Sequence, residues 1–484
     1  MKHKLFLLCA MSLAAAVWPF AEAAEEIKPV ELAILVAAAA AVLAVQCAAL
    51  GVARRFVTET QLDILIALLV AANAYHFAFL AIDAKTWLRL SLAAMMGAGA
   101  WLALRNRVAA ARVAQFALAF TLVLIGQYAY GAAHLANAER LAIAASASLP
   151  VKSQRNVYLI STESLHSPHA FRRFYGIEDA PHVAYLTGEG FRVLERTYSP
   201  DIATRHSYQR ILEFGKPLKD KREQRQVFWS GNSSFSSFRN SGYKLQFIYI
   251  SNYMNLNPQL VDHAFPQVGF YVCDNLPDNF FYFACKEGAR NAVSAVLYGV
   301  DGRVSVAEEI AHLKERVKAA ADDAAPWLTI SHIAFPNHTP NNFLFSDTEQ
   351  AERFRDLVRG QMPQIAANFR DIVGAIKAHD PDAIVILFGD HGMQLTRGMP
   401  AAAASQQFSA EDIIEDRYGA MLAVYPGDFC RKRIFDGSST SFVVESVIQC
   451  LNGDDEPTPA DIEKGRSIFF RGAMTTVDRA MAGK

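Results

Sequence analysis

The sequence predicts two parts: an N-terminal bundle of about five transmembrane α-helices, then an α/β domain with a mainly parallel central sheet between helices. Two observations support this prediction. Five apolar stretches occur before residue 150, and strand-like runs alternate with helix-like runs after residue 154. The predicted boundaries are a transmembrane domain at 1–135, a connector at 136–153 and a globular domain at 154–484.

Composition agrees with this division. The chain has 484 residues, of which 52% are hydrophobic and 20% charged, which excludes a disordered protein and a small disulfide scaffold. Its net charge of −1 argues against nucleic acid as a partner, because a dedicated nucleic-acid binder carries a basic excess. Residues 1–150 carry 11 basic and 8 acidic side chains, whereas the remaining 334 residues carry 36 and 40.

The apolar stretches have lengths near the ~20 residues that a helix needs to cross a bilayer. They are Leu5–Ala21, Leu32–Leu50, Ile64–Ile82, Trp87–Leu104 and Val113–Ala133. Lys2 and Lys4 precede the first stretch, and Ala21-Glu22-Ala23 ends it like a cleavage site. The first stretch is therefore either a signal peptide or a first membrane span.

Charged residues between these stretches predict the topology. Arg54 and Arg55 lie between the second and third stretches, and Arg105, Arg107 and Arg112 between the fourth and fifth. The positive-inside rule places both loops in the cytoplasm. We therefore expect a multi-pass protein of the bacterial inner membrane whose globular domain lies in the periplasm.

Cysteine usage supports a periplasmic location for the globular domain. That domain has four cysteines, Cys273, Cys285, Cys430 and Cys450. An even number outside the cytoplasm suggests two disulfides, with three pairings possible. We favour the local pairing of Cys273 with Cys285 and of Cys430 with Cys450.

The globular domain alternates buried strands with amphipathic helices. The predicted strands are Asn156–Ser161, Leu245–Ile250, Trp327–Ile330, Ala383–Phe388 and Ala420–Tyr425. Val306–Ala321 and Ala351–His379 have helical periodicity. Strands separated by helices favour a mainly parallel sheet. The aromatic stretch Phe228–Phe283 is either part of a ligand groove or, as we favour, ordinary core packing.

Chemically active side chains follow three of these strands. Glu163 follows the first strand, His332 the third, and Asp390 and His391 the fourth. Ligands of α/β sheets bind beyond the carboxyl ends of strands, so we expect these groups at one edge. Glu163, Asp390 and His391 are ligands suited to Zn²⁺ or Mn²⁺.

The segment Ser199–Arg210 supplies a candidate nucleophile. Pro200-Asp201 marks a turn, and the following residues look helical, which places Thr204 at a helix N-terminus. A helix dipole, and a metal if one is coordinated, would favour the alkoxide of Thr204 there. Ser207 is the rival nucleophile.

These motifs resemble the alkaline phosphatase/sulfatase superfamily, and within it the membrane-anchored phosphoethanolamine transferases and lipoteichoic acid synthases. The matching segments are NVYLISTES with Glu163, Thr204 about forty residues later, His338-Thr339-Pro340, and ILFGDHG with Asp390 and His391. The resemblance implies a sulfatase-like catalytic domain. It also implies a metal bound by Glu163, Thr204, Asp390 and His391, with Thr204 as nucleophile.

The same resemblance implies that His338 stabilises the transferred phosphate or protonates a leaving group, with His332 as the alternative. The chain departs from the family in three ways. No histidine follows His391, no Cys-x-Pro-x-Arg motif occurs, and no Gly-Thr-Ala run surrounds Thr204. These departures weaken a two-zinc phosphatase, make a formylglycine sulfatase improbable, and leave the donor headgroup open.

The expected activity is transfer of a phospholipid headgroup phosphate, as phosphoethanolamine or phosphoglycerol, through a covalent phospho-threonine. The expected partners are a phospholipid donor, the membrane, and an envelope glycan or glycolipid acceptor such as lipopolysaccharide. The first alternative is a membrane-anchored periplasmic sulfatase-like hydrolase, either a phosphodiesterase or a phosphatase. The second is a non-catalytic scaffold that keeps the fold.

Overall fold

The structure is a computed structural model. It describes residues 2–22, 29–77, 86–145, 148–218, 223–224, 227–228, 231–249, 254, 256–257, 260–265, 304–336, 348–398, 407–470 and 472–482. These residues fall into two compact units, one ending at Arg140 and the other beginning at Leu141.

The first unit is helical. Its helices are α1 (Lys2–Glu22), α2 (Pro29–Ala53), α3 (Glu59–Phe77), α4 (Thr86–Leu104) and α5 (Arg107–Ala145). Each predicted apolar stretch lies in one of them, except that residues 78–82 lie outside the described residues. The Asn73 amide joins three helices, donating to Ser12 at 2.8 Å and to Gln46 at 2.9 Å.

One segment in the described part of the chain, Arg107–Gln127 of α5, is long and apolar enough to cross a membrane. One such segment does not establish a five-span bundle, so the five spans stay a prediction. The Lys4 ammonium on α1 is buried and pairs with the Glu59 and Asp63 carboxylates, both of α3. These ion pairs fix α1 against α3.

The second unit is built on a seven-stranded sheet of order β2-β8-β7-β1-β6-β4-β5. Its strands are β1 (Val157–Thr162), β2 (Arg192–Val193), β4 (Lys244–Tyr249), β5 (His263–Phe265), β6 (Trp327–Ile333), β7 (Ile384–Gly389) and β8 (Leu422–Tyr425). The pairs β1–β6, β1–β7, β4–β6 and β4–β5 are parallel, and β8 is antiparallel to both of its neighbours. The mainly parallel α/β prediction is confirmed.

Shorter pairs and helices surround the sheet. β3 (Thr197–Tyr198) pairs with β9 (Ser438–Ser439), and β10 (Ser467–Phe470) forms a hairpin with β11 (Ala473–Thr476). The helices before the fourth strand are α6 (Pro168–Tyr175), α7 (Pro181–Gly188), α8 (Thr204–Leu212) and Ser233–Asn240. The later helices are Val306–Ala321, Thr348–His379, Leu395–Gly398, Ala410–Tyr418, Val443–Leu451, Pro459–Gly465 and Val477–Met481, with a 3₁₀ turn at Thr440–Phe442.

Both faces of the sheet are covered, which explains why its central strands are continuous apolar runs. In β1, Val157 and Leu159 face one hydrophobic core, whereas Tyr158 and Ile160 face the other. Tyr243 and Tyr249 of the aromatic stretch are buried in the first core, as the core-packing interpretation predicts. Tyr253 and Tyr271 of that stretch lie outside the described residues.

The second unit contains one of the two expected disulfides in its described part. Cys430 and Cys450 are bonded, which confirms that pairing. Cys273 and Cys285 lie outside the described residues, so their pairing stays a prediction.

Candidate active site

The register of three adjacent parallel strands brings the predicted residues to one edge of the sheet. Thr162 at the end of β1 pairs with Gly389 at the end of β7, and Ser161 pairs with His332 of β6. Glu163 follows β1 and Asp390 follows β7, so both carboxylates leave the same carboxyl edge.

Gly389 allows the two strand ends to approach each other closely. A Cβ atom on Gly389 would lie 2.1 Å from the backbone oxygen of Leu165, much closer than any real Cβ contact. The glycine is needed here for space, because its φ lies outside the left-handed region. The close approach brings the Glu163 segment next to Asp390.

Asp390 is fully buried, and its two carboxylate oxygens have different environments. Oδ1 accepts hydrogen bonds from the backbone N–H groups of Ser164 at 2.7 Å and of His391 at 2.9 Å. Oδ2 is shielded from solvent and has no hydrogen-bond partner among the described residues. A buried carboxylate oxygen without a partner is costly, and a cation is the partner that suits it.

The His332 imidazole contacts the Glu163 carboxylate. His332 Nε2 lies 3.0 Å from Glu163 Oε2, and His332 Nδ1 lies 2.6 Å from the Ser161 hydroxyl. Ligand atoms of Glu163, His332 and Asp390 all lie within 4.8 Å of one another. Because its Nε2 is engaged with the Glu163 carboxylate, His332 orients that group, as outer-shell partners of metal ligands do.

His391 presents the nitrogen around which the other predicted ligands gather. Its Nδ1 lies 2.8 Å from the backbone oxygen of Gly392, which fixes an N–H there and leaves Nε2 for the site. From Nε2 the distances are 3.4 Å to Glu163 Oε1, 3.5 Å to Asp390 Oδ2 and 3.4 Å to Thr204 Oγ1. Tetrahedral ligands at Zn–N and Zn–O distances of about 2.0–2.2 Å stand about 3.3–3.6 Å apart. Each of the three distances from His391 Nε2 therefore matches the spacing of two ligands on one divalent cation.

Electrostatics agree with that fit. Burial acts to raise the pKa of Glu163, but hydrogen bonds from His332 and His391 hold it well below its usual range. Burial acts to lower the pKa of His391, but the Asp390 and Glu163 carboxylates raise it to about 9. The site thus concentrates negative charge that attracts a cation, which would displace the His391 proton.

Thr204 begins α8, as the sequence predicts. The preceding Ala203 is the N-cap residue and offers no side-chain hydrogen bond to the first turn. Backbone N–H groups at such an uncapped terminus, together with the helix dipole, form a site for an anion such as phosphate. Thr204 is half-buried, so its hydroxyl is accessible beside the proposed cation position.

The rival nucleophile and the predicted phosphate-binding histidine have different outcomes. Ser207 is fully buried, and its hydroxyl donates to the Asp201 backbone oxygen at 2.9 Å, so this arrangement favours Thr204. His338 lies outside the described residues, so its role stays a prediction. His332 lies against Glu163, where it touches a predicted ligand rather than the open side of the site.

Two residues that support the site were missed by sequence reasoning. Ser164 and Gln394 have positive φ values of 58° and 61°, which are unusual for residues other than glycine. The Ser164 hydroxyl lies 3.2 Å from His391 Nδ1, and the Gln394 amide nitrogen lies 2.6 Å from the Ile202 backbone oxygen and 3.3 Å from His391 Nδ1. Strained backbone of this kind clusters at functional sites. Nothing in the local sequence signals it.

A further buried network supports the loop that carries Asp390 and His391. The fully buried Asp416 carboxylate accepts hydrogen bonds from the backbone N–H groups of Leu395 and Thr396 and from the Thr396 hydroxyl, at 2.7–3.0 Å. The Asp416 carboxylate therefore fixes residues 395–396, which follow the loop that carries Asp390 and His391.

No protein-family model matches the chain, and no curated protein sequence matches it. Solved structures with a similar fold include the C-terminal periplasmic domain of EcEptC from Escherichia coli in complex with Zn. It has 13% identity and a TM-score of 0.42, and the match covers 69% of this chain and 97% of that chain. The integral membrane lipooligosaccharide phosphoethanolamine transferase A from Neisseria meningitidis has 13% identity and a TM-score of 0.35, covering 77% and 69%. The lipoteichoic acid synthase LtaP from Listeria monocytogenes has 11% identity and a TM-score of 0.41, covering 62% and 72%. The structural neighbours of this chain thus include phosphoethanolamine transferases and a lipoteichoic acid synthase, the proteins that its motifs resemble.

Proposed function

We propose that the protein is a metal-dependent transferase that moves a phospholipid headgroup phosphate, as phosphoethanolamine or phosphoglycerol, onto a cell-envelope glycan or lipid. The observation that carries the proposal is that the Thr204 hydroxyl, a Glu163 oxygen and an Asp390 oxygen each lie 3.4–3.5 Å from His391 Nε2 at the carboxyl edge of the sheet. A half-buried hydroxyl at a helix start, beside paired carboxylates and an imidazole, suits nucleophilic attack on phosphorus.

In the first step the donor phosphate lies at the N-terminus of α8, where the first-turn N–H groups and the helix dipole stabilise its charge. The Thr204 hydroxyl loses its proton, and its oxygen forms a bond to phosphorus. The bond from phosphorus to the diacylglycerol oxygen breaks, and that oxygen takes up a proton. When bound by the four predicted ligands, Zn²⁺ or Mn²⁺ supplies positive charge that favours the Thr204 alkoxide and attracts the phosphate oxygens.

In the second step an acceptor hydroxyl attacks the phospho-threonine. The acceptor oxygen loses its proton and bonds to phosphorus, the bond from phosphorus to Thr204 breaks, and Thr204 regains a proton. His338 is the proposed donor of a proton or hydrogen bond to the transferred phosphate. His332 keeps Glu163 oriented through both steps.

The donor requires a membrane, and the helical unit supports that part of the proposal. Arg107–Gln127 is long and apolar enough to span a bilayer. The arginines between the predicted spans favour a periplasmic second unit, and the Cys430–Cys450 disulfide suits that compartment. We therefore propose a multi-pass inner-membrane enzyme whose catalytic domain, expected at 154–484, faces the periplasm.

The test is peptide mass spectrometry across residues 201–210 after incubation of the purified full-length protein with Zn²⁺ or Mn²⁺ and vesicles of phosphatidylethanolamine and phosphatidylglycerol. We expect a headgroup-phosphate adduct on Thr204 whose mass identifies the donor. Thr204→Ala should abolish the adduct. Ser207→Ala removes a hydroxyl from the same helix and should keep it.

Three outcomes would count against the proposal. An adduct on Ser207 would show that Ser207, and not Thr204, is the nucleophile. If metal-loaded protein forms no adduct and the lipid is unchanged, phospholipids of this class are not the donor. Release of headgroup phosphate to water with no transfer to any envelope glycan fraction would favour the hydrolase alternative.

A further inference from the structure

A second pocket lies in the sheet-containing unit, apart from the residues described above. Its volume is about 260 Å³, near the lower end of the ~300–1,000 Å³ typical of small-molecule sites. β3, the turn before β9 and the C-terminal elements around β10 form its walls. The lining residues used below are Arg196, Tyr198, Asp436, Arg466 and Asp478.

Arg466 brings an unsatisfied guanidinium to this pocket. Among the described residues its guanidinium makes no hydrogen bond, and its Nε is shielded from solvent. Its nearest acidic partner is Asp478, at 3.6 Å, which is beyond hydrogen-bonding distance. The Arg466 side chain is 44% exposed, so its terminal nitrogens rather than the shielded Nε can donate to a ligand, in competition with Asp478 and water.

Arg196 brings a second guanidinium that is anchored at one end. Its NH2 group lies 2.6 Å from His169 Nε2, which fixes the side chain. Its Nε is also shielded and without a hydrogen bond, and lies 3.4 Å from a Glu415 oxygen that the Tyr198 hydroxyl already engages at 2.6 Å. Because that Nε is shielded and the NH2 group contacts His169 and lies 3.6 Å from Glu411, Arg196 contributes fixed positive charge to the pocket rather than an available donor.

Carboxylates in the same pocket balance these positive charges. Asp436 accepts a hydrogen bond from the Glu195 backbone at 2.7 Å, and Asp478 is 76% exposed and available as an acceptor. A simple anion would be repelled by the carboxylates, and a simple cation by the guanidinium groups. Sugar hydroxyls suit both, because each one donates and accepts.

The pocket lies close to the nucleophile along the chain and through contacts. Tyr198 precedes Thr204 by six residues, so their Cα atoms are at most about 20 Å apart. The Phe469 N–H of β10 donates to the Pro200 backbone oxygen at 2.8 Å. The Arg210 guanidinium of α8 lies 3.7 Å from the centroid of the Phe469 ring. β10 is thus attached both to the pocket and to the helix that carries Thr204.

We propose that this pocket binds a sugar unit of the acceptor glycan while another unit of the same glycan receives the headgroup phosphate at Thr204. The proposal rests on the proposed function for the acceptor role. The binding of a neutral saccharide rests on the pocket alone.

The test is isothermal titration of the full-length protein in detergent with neutral α- and β-linked hexose hexasaccharides, with inorganic phosphate as a separate probe. Arg466→Met keeps an apolar stem but removes the donors, and we expect it to weaken hexasaccharide binding at least tenfold. Asp478→Ala, at an exposed position that folding tolerates, should weaken it at least threefold. The matched control is Arg479→Met, an exposed arginine on the same helix, which should change binding less than twofold.

Absence of hexasaccharide binding to the wild-type protein, or binding that Arg466→Met and Asp478→Ala leave unchanged, would overturn the inference. Phosphate binding that depends on Arg466 in place of hexasaccharide binding would also overturn it. The Thr204 adduct is measured on the same samples. An adduct without saccharide binding refutes only the pocket, whereas Arg466-dependent saccharide binding without an adduct refutes the acceptor role and the proposed function.

Discussion

The substitution Gly389→Ala tests whether close approach of two strand ends positions the site. The new methyl group would lie 2.1 Å from the Leu165 backbone oxygen. Real Cβ atoms essentially never come within 3.0 Å of such an atom, so the gap must widen by about 0.9 Å. The Leu165 carbonyl also accepts a hydrogen bond from the Met421 N–H at 2.8 Å, so its displacement disturbs β8 as well.

Two magnitudes follow from this displacement. Forced overpacking of a well-packed interior costs about 1–3 kcal/mol of unfolding free energy. Glu163 lies two residues from Leu165, and a misplacement of about 1 Å at a catalytic group costs roughly 10²-fold in rate, or about 2.7 kcal/mol of activation free energy. The loss of activity should therefore exceed what the loss of folded protein explains.

The measurements are urea denaturation and the rate of Thr204 adduct formation per folded molecule. Gly374→Ala is the matched control, because a Cβ there meets nothing within 4 Å and the residue lies inside the helix Thr348–His379. That control should gain about 0.5–1 kcal/mol of stability and keep full activity. Normal stability and a normal rate in Gly389→Ala would refute the role assigned to close approach.

Three further changes probe the support around the site and the surface. Asp416→Asn weakens the carboxylate that fixes residues 395–396, so urea denaturation should show a loss of about 2–4 kcal/mol, and an unchanged midpoint would contradict this. Replacing Cys430 and Cys450 by serine opens a disulfide that spans 20 residues and should cost about 3 kcal/mol of unfolding free energy, and reductant should destabilise the wild type more than the variant. Hydrogen bonds, the strongest of them from the Lys244 side chain, lower the pKa of Asp323 to about 2. The ionised Asp323 therefore stabilises the folded state above pH 3.8, and this stabilisation is lost as pH falls through 2. The stability difference between wild type and Asp323→Asn should therefore narrow as pH falls from about 4 through 2, and a difference that stays constant over this range would exclude this interaction as its source.

The sequence predicts those parts of the site that depend on local patterns. Glu163, Asp390 and His391 each follow a strongly apolar run, and parallel strands place their carboxyl ends at one edge whatever the strand order is. Thr204 was placed at a helix start by the Pro-Asp turn before it, and the structure begins α8 there. The helix Val306–Ala321 has the predicted bounds because its capping box and its amphipathic period agree.

Contacts that depend on register or on unusual backbone conformations were beyond sequence reasoning. The pairing of His332 with Glu163 requires knowledge that β6 lies beside β1, which no local pattern encodes. The left-handed conformations of Ser164 and Gln394 are imposed by the surrounding packing rather than by residue type. The antiparallel direction of β8 also escaped prediction, because its four residues look like those of any buried strand.

The strand order affects how the chain folds while it is synthesised from the N-terminus to the C-terminus. The central strand β1 finds its neighbours 171 and 227 residues later, in β6 and β7. Contacts this distant in sequence are slow to form, because the long intervening loop must close first. Until β7 arrives, at least one edge of β1, whose residues are all buried in the finished sheet, stays unpaired and can pair with another chain. The Asp390–His391 pair is synthesised immediately after β7, so the cluster for a divalent cation is completed only when that exposed edge is covered. Capture of the proposed cation would then come late in folding and would add its binding energy to a sheet whose centre has already formed.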